Sequence, residues 1–234
     1  NVRLPRTATA TVVGAALALA GAVMQNVLRN PLASASTLGV SQGAAFGAAL
    51  AITFFHAGIG TDGNLGAALT VTSPAVVTVF AFVFGVASGA VILALSLVTR
   101  ISSATMILSG IALGAMFTGG TAIIQYFADD IKVASIYWTF GDLGRTGWTQ
   151  IGAMAAALAV AFVYFYRNAW NYNALANGTY TAKSLGVPVN VVLIVGMLVS
   201  CLLSSLAVAF VGTIGFVGLI APHLARRFTG SNHR

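Results

Sequence analysis

The sequence is poor in charged residues and contains no glutamate at all. Only 6% of its 234 residues are charged, whereas 58% are hydrophobic. A typical soluble domain carries about 25% charged residues. Such a low charge excludes a water-soluble globular protein, because no polar faces remain to cover so large an apolar interior. The four acidic residues are all aspartates: Asp62, Asp129, Asp130 and Asp142.

Other absences narrow the function. The single cysteine, Cys201, excludes a disulfide framework and gives no metal-ligand spacing, so neither metal nor cofactor is expected. The phosphate-binding pattern Gly-x-x-x-x-Gly-Lys-Ser/Thr does not occur, so the chain is not expected to hydrolyse nucleotides itself. No carboxylate lies within an apolar run, which argues against a proton- or sodium-coupled carrier. Basic residues stand singly at helix ends, so the net charge of +7 does not indicate a nucleic-acid partner.

Long apolar runs dominate what is present. They cover residues 7–27, 40–55, 73–98, 104–126, 150–166 and 189–211. About 20 apolar residues in an α-helix cross the hydrocarbon core of a bilayer. We therefore predict an all-α, polytopic transmembrane helical bundle of six long helices and some short broken ones, forming a single domain over residues 1–234.

The polar segments indicate how the chain is oriented in the lipid bilayer. Residues 128–149 are predicted to be a loop, with Trp138 and Trp148 at headgroup level, and residues 168–188 a segment outside the bilayer. If the runs alternate across the membrane, one face carries all four aspartates with Arg3, Arg6, Lys132 and Arg145. The other carries Arg29, Arg100, Arg167, Lys183, Arg226, Arg227 and Arg234 and no acid. The more basic face is expected to be cytoplasmic, which places residues 168–188 inside and Arg3 and Arg6 outside.

Two parts of the chain share a pattern. The first run is followed by a break at Asn30-Pro31 and a short helix, and the last run by a break at residues 212–222 and a short helix. The two units begin on opposite sides of the bilayer. Inverted repeats with broken helices are typical of transporters, in which the breaks commonly line the pathway.

Several motifs carry a resemblance to a known family. They are RLPR at residues 3–6, GAALA at 14–18, GAVMQ at 21–25, NPLA at 30–33, LGV at 38–40, AKSLGV at 182–187 and GFVGLIAPH at 215–223. Together and in this order they resemble the FecCD family of ABC-importer permeases, which move ferric siderophores, haem and cobalamin across prokaryotic plasma membranes. The resemblance implies a ten-helix bundle that pairs as a dimer around a central path, with two cytoplasmic ATPases and an external substrate-binding protein. On that pattern we expect a fragment that lacks the first helix and the last two.

The resemblance also implies roles for two surfaces. Arg3 and Arg6 match arginines that pair with acidic residues of the binding protein; the alternative is that they only flank a helix end. Residues 168–188 match the coupling segment that inserts into the ATPase, and the alternative is a solvated loop. The coupling residues implied are Gly178, Thr179, Ala182, Lys183, Leu185, Gly186 and Val187. The family usually has an acidic residue where Thr179 stands, which weakens the case for a charge contact there.

A gate and a pathway are implied as well. Ser102, Ser103 and Ala104 match a narrow cytoplasmic gate, although a tight polar turn predicts the same residues. Gln25, Asn30 and Pro31 are expected at the inner end of the pathway-lining helix, and helix packing explains Gln25 equally well.

We therefore expect the membrane subunit of an ABC importer, which takes up a ferric siderophore by alternating access while a partner hydrolyses ATP. The alternatives are a haem or cobalamin permease of the same family, an ion-coupled carrier or channel, and a membrane scaffold that transports nothing.

Overall fold

The computed structural model describes residues 3–55, 74–99, 103–127 and 132–229. Within these ranges the chain forms ten helices: α1 (Arg3–Val27), α2 (Val40–Phe54), α3 (Pro74–Thr99), α4 (Ser103–Phe127), α5 (Lys132–Thr139), α6 (Trp148–Arg167), α7 (Ala169–Ala176), α8 (Thr179–Ser184), α9 (Val189–Val211) and α10 (Val217–Thr229). Five of them, namely α1, α3, α4, α6 and α9, are long and apolar enough to cross a membrane. The prediction of an all-α transmembrane bundle is confirmed.

The predicted helices differ from the observed ones mainly at α1 and α2. Helix α1 begins at Arg3 rather than at residue 7, because Pro5 lies in its first turn, where a missing N–H costs nothing. Helix α2 has only 15 residues. At 1.5 Å per residue it spans about 22 Å, less than the hydrocarbon core of about 30 Å. Helix α2 is thus the short helix expected after the break at Asn30-Pro31, and the described part of the chain has five long helices beside it.

The segment predicted as a loop at residues 128–149 is partly helical. It contains α5, and α6 begins at Trp148, where the Gln150 side chain accepts a hydrogen bond of 3.0 Å from the Gly147 amide. Trp138 is only 4% exposed, so its ring packs inside the protein. The guanidinium carbon of Arg145 lies 5.9 Å from the Trp138 ring centroid, a cation–π distance.

Helix α9 is the centre of the bundle and contacts α1, α2, α3 and α6, as well as α7 and α8. Small residues allow close helix packing, as expected in lipid. A Cβ atom on Gly89 would lie 2.6 Å from the Cys201 sulfur, and one on Gly21 would lie 1.8 Å from the Gly218 carbonyl oxygen. These glycines let α3 approach α9 and α10 approach α1.

The bundle has two ends that differ in charge. We name the first the Arg6 end; there Asp142 connects the start of α1 to the end of α9. The Asp142 amide donates to the Val211 carbonyl at 2.8 Å, and the Asp142 carboxylate lies 3.6 Å from the Arg6 guanidinium. At the opposite end, named the Arg29 end, Asn26 Nδ2 donates to the Tyr172 carbonyl at 3.2 Å. The described basic residues there are Arg29, Arg167, Lys183, Arg226 and Arg227.

Both long-helix, break and short-helix units predicted from the sequence are present. Residues 28–39 separate α1 from α2, and residues 212–216 separate α9 from α10. The second break is shorter than the predicted 212–222, because Pro222 lies inside α10. The positive φ angles of Gly212 (83°) and Phe216 (66°) end one helix and precede the next.

Candidate functional site

The two arginines predicted to dock a binding protein lie at the Arg6 end, in the first turns of α1. Both are exposed. Arg6 is 58% exposed, and its Nη2 lies 3.6 Å from Asp142 Oδ1. Arg3 has no ion pair among the described residues. The pair at Arg6 is loose and largely in solvent, where such pairs contribute little, so its guanidinium is still accessible.

Asp142 was not predicted to pair with Arg6. Its Oδ1 also accepts a hydrogen bond of 2.8 Å from the Gly144 amide, which closes the turn below the guanidinium. A buried hydroxyl pair, Thr9 with Thr146 at 2.6 Å, fastens the same turn to α1. The sequence feature that could have predicted this pair is the placement of all four aspartates on the same face as Arg3 and Arg6.

Residues 168–188, predicted to couple to an ATPase, form a helical hairpin at the Arg29 end. Helix α7 is the anchored part, because Tyr172 and Leu175 are only 2% and 1% exposed. The Tyr172 ring lies 5.8 Å from the Phe165 ring, edge to face. Burial, together with the neighbouring Tyr164 hydroxyl, raises the pKa of Tyr172, so it stays neutral. The chain turns into α8 at Gly178, whose φ of +116° favours glycine.

Only part of the predicted coupling set lies on the surface. Ala182 is fully buried and Val187 is 7% exposed, so these two residues support the hairpin from below. The exposed members are Lys183, Leu185 and Gly186, with Gly178 and Thr179 half-buried at the turn. Tyr180, at 90% exposed, was missed in the sequence, although the period of α8 places it beside Lys183.

The residues predicted for the gate and the inner end of the pathway also lie at the Arg29 end. Gln25 is 3% exposed, and its Nε2 donates to the Leu219 carbonyl at 3.2 Å, so it joins α1 to α10. Asn30 and Pro31 are in the break after α1. Ser103 and Ala104 begin α4, and Ser102 lies outside the described residues. Gln25, Asn30 and Pro31 line one cavity together.

A polar cavity that was not predicted lies in the Arg6 half of the bundle, between α2, α4, α5 and the break at residues 212–216. It has a volume of about 400 Å³. Its polar lining consists of Ser36, Ser41, Gln42, Thr118, Thr121, Gln125, Thr139 and Thr213, and among the described residues no charged side chain lines it. In a membrane helix such side chains face the bundle interior or a water-filled cavity.

Local bonds hold this lining in place. Gln125 Nε2 donates to the Ser135 hydroxyl at 3.1 Å, and the Thr213 hydroxyl donates to the Thr139 carbonyl. Gln42 Oε1 has no hydrogen-bond partner among the described residues. Thr118, Thr121 and Gln125 repeat at one-turn spacing on α4, and this polar stripe in an apolar helix was the sequence signal for the cavity.

A membrane bundle with a broken helix beside a polar cavity has the architecture of a transport protein. The chain belongs to the FecCD transport family, which it matches over residues 1–234.

Individual relatives are similar along the whole chain. An ABC transporter permease of Methanocaldococcus jannaschii is 49% identical over 235 residues, which are 100% of this chain and 66% of that protein. The hemin transport permease of Yersinia pestis is 34% identical, over 100% of this chain and 67% of that one. Permeases named for iron(3+)-hydroxamate, molybdate and cobalamin import are each 33% identical and are covered over 58%, 66% and 60% of their lengths. They come from Bacillus subtilis, Haemophilus influenzae and Halobacterium salinarum.

Among solved structures, an inward-facing metal-chelate type ABC transporter matches with a TM-score of 0.83 and 30% identity, covering 99% of this chain and 71% of that one. The chain thus spans about two thirds of the length of these relatives.

Proposed function

We propose that this chain is part of the membrane-spanning permease subunit of an ATP-binding-cassette importer and that it moves an iron chelate, such as a ferric siderophore, by alternating access. The polar cavity beside the break at residues 212–216 is the observation that carries the proposal. Non-helical backbone at membrane depth is tolerated only where it is buried in protein or lines a water-filled cavity. A cavity with uncharged donors and acceptors offers a polar cargo hydrogen bonds without trapping it in an ion pair.

The partners follow from the family and from the two ends of the bundle. We propose a homodimer in a prokaryotic plasma membrane, with two cytoplasmic ATPase subunits at the Arg29 end and a substrate-binding protein at the Arg6 end. The exposed part of the α7–α8 hairpin takes the ATPase, and Arg3 and Arg6 take the binding protein. ATP hydrolysis belongs to the partner, and this chain contributes no catalytic residue.

The cargo is the least constrained part of the proposal. Relatives of similar identity bear names for hemin, iron(3+)-hydroxamate, cobalamin and molybdate. A haem or cobalamin permease is therefore the alternative within the family. An ion-coupled carrier or channel is disfavoured, because no acidic residue lies within the five helices long enough to cross the membrane.

Reconstitution tests the function directly. The protein is purified with its ATPase, placed in proteoliposomes, and supplied with binding protein and labelled siderophore, haem, cobalamin or molybdate. We expect ATP-dependent uptake of the siderophore, and preferred uptake of another cargo would correct the substrate. Uptake driven by an ion gradient without ATP would refute the importer.

Two threonines test the cavity. The hydroxyls of Thr118 and Thr121 each donate to a carbonyl of their own helix at 2.9 Å, so changing both to valine leaves no buried group unpaired. Valine has no oxygen, so each substitution removes one hydrogen-bond acceptor from the cavity wall. Each lost hydrogen bond to the cargo costs about 1 kcal/mol. We expect roughly thirtyfold slower uptake at unchanged thermal stability. The matched control is Thr78→Val on α3, whose hydroxyl makes the same kind of bond away from the cavity. Equal uptake by all variants would remove the cavity from the pathway.

The docking arginines are tested by charge reversal. Arg3→Glu and Arg6→Glu, made singly, are each expected to weaken association with the binding protein about tenfold at low salt and less at high salt, since exposed charges are screened. Titration of labelled binding protein against the reconstituted permease measures this. Arg227→Glu at the opposite end serves as the control. An affinity that does not change with either reversal would leave the arginines as flanking residues of α1.

A further inference from the structure

Two arginines far apart in sequence line one small cavity at the Arg29 end. The cavity has a volume of about 300 Å³ and lies where α1 and α10 end beside α7. Arg29 and Arg226 line it together with Asn30 and Ala176. The side chain of Gln25 holds the two helices together here through its bond to the Leu219 carbonyl.

The charge of this arginine pair is not compensated within the described part of the chain. The only acidic residue in the described part of the chain is Asp142, which lies at the opposite end of the bundle and contacts Arg6. Two guanidiniums that share a cavity repel each other, so the arrangement favours a bound anion. A guanidinium presents several donors in a planar fork, which suits the oxygens of a phosphate group.

The backbone at Arg29 gives a second, independent observation. Arg29 has a φ of +46°, in the left-handed region. Its amide donates to the Asn26 carbonyl and the Asn30 amide to the Gln25 carbonyl, both at 3.0 Å, which is the helix-ending motif that normally has glycine at this position. A side chain there costs about 1 kcal/mol or more. The fold alone favours glycine, so the arginine side chain serves another purpose.

The position of Arg226 agrees with this. Arg226 is half-buried and lies toward α1, whereas its neighbour Arg227 is exposed and does not line the cavity. Among the described helices α10 packs only on α1. The Arg226 side chain is therefore held in the seam beside Arg29, although its neighbour reaches open solvent.

We infer that Arg29 and Arg226 form a binding site for a phosphate group, in a cavity that Gln25, Asn30 and Pro31 also line. Helix α1 has 25 residues, about 37 Å of helix, and so crosses the hydrocarbon core. Its end, and with it the cavity, lies at headgroup level. Basic pockets between membrane helices are known to hold anionic lipid headgroups. The phosphate comes either from such a lipid or from free phosphate in solution.

The test uses the purified protein in nanodiscs of phosphatidylcholine with or without phosphatidylglycerol, and native mass spectrometry to count retained lipids. Arg29→Gly removes the guanidinium and relieves the left-handed strain, so the variant is expected to fold at least as stably. Arg226→Gln removes the second charge. We expect each to reduce phosphatidylglycerol retention about tenfold, the loss of one charge-assisted hydrogen-bonding group. Arg227→Gln is the matched control and is expected to bind as the wild type does.

A second arm distinguishes the two sources of phosphate. In detergent without lipid, inorganic phosphate is added and the melting temperature is followed. Stabilisation that Arg29→Gly and Arg226→Gln abolish assigns the site to free phosphate, and an effect of phosphatidylglycerol alone assigns it to lipid. If neither probe binds, or if both variants bind as well as wild type, the inference is wrong. A loss confined to ATPase association would likewise overturn it, because the arginines would then dock a protein carboxylate.

Discussion

Replacing Gly21 by alanine is expected to destabilise the protein more than any other single methyl group added to α1. The new Cβ would lie 1.8 Å from the Gly218 carbonyl oxygen and 2.8 Å from its Cα. Both are backbone atoms, so no side chain can rotate away and α10 must move off α1. Overpacking of this kind costs about 1–3 kcal/mol, or roughly 2–12 °C in melting temperature for a chain of this size.

Gly14 provides the matched control on the same helix. No heavy atom lies within 4 Å of a Cβ built there. Gly14→Ala should therefore raise the melting temperature slightly, because alanine favours a helix over glycine by about 1 kcal/mol. Thermal unfolding of both variants in detergent, followed by tryptophan fluorescence, measures the difference. If Gly21→Ala unfolds at the same temperature as Gly14→Ala, then α1 and α10 are not in contact at Gly21 and Gly218.

Leu185→Glu is expected to abolish most of the coupled uptake while leaving the protein folded. Leu185 is 57% exposed at the end of α8, with an ordinary φ of −83°, so glutamate fits there. A carboxylate on a surface that a partner must cover has to lose its water. Unpaired, it costs several kcal/mol, and even about 2 kcal/mol weakens association roughly thirtyfold. Binding of the ATPase and ATP-driven uptake in proteoliposomes are the measurements.

The control for this variant is Leu32→Glu. Leu32 is 61% exposed in the break after α1, near the same end of the bundle but outside residues 168–188. It receives the same charge at a similar exposure and should retain nearly normal ATPase binding and uptake. Equal losses in the two variants would indicate a general effect of negative charge at this end, and normal coupling in Leu185→Glu would refute the coupling assignment.

Hydrophobic length and charge were sufficient to predict the membrane helices. The bounds of α9 agree with the prediction at both ends, because Pro188 precedes the apolar run and Gly212 follows it. Helix α1 was predicted from residue 7, whereas it begins at Arg3. Element α5 was missed because it has only eight residues, which is too short for a periodic pattern.

The candidate site was less predictable, because its contacts join residues that are distant in sequence. The pair Arg6–Asp142 spans 136 positions and the pair Arg29–Arg226 spans 197. No local pattern encodes either. The polar cavity was partly visible in the stripe Thr118, Thr121 and Gln125, but its other walls come from α2 and the break before α10. Burial of Ala182 was also invisible, since alanine suits both a surface and an interior.

The hydroxyl of Tyr172 lies so close to α9 that a Cβ on Gly196 would be 2.7 Å from it. Tyr172 packs against Gly196, and the Tyr172 carbonyl accepts a hydrogen bond from Asn26. These two contacts hold the hairpin firmly against α9 and α1. We therefore expect a sideways displacement of α8 to be transmitted through α7 to α9. Since α9 ends at Gly212 and the next residue, Thr213, lines the polar cavity, we expect a tilt of α9 at its Arg29 end to change the width of that cavity.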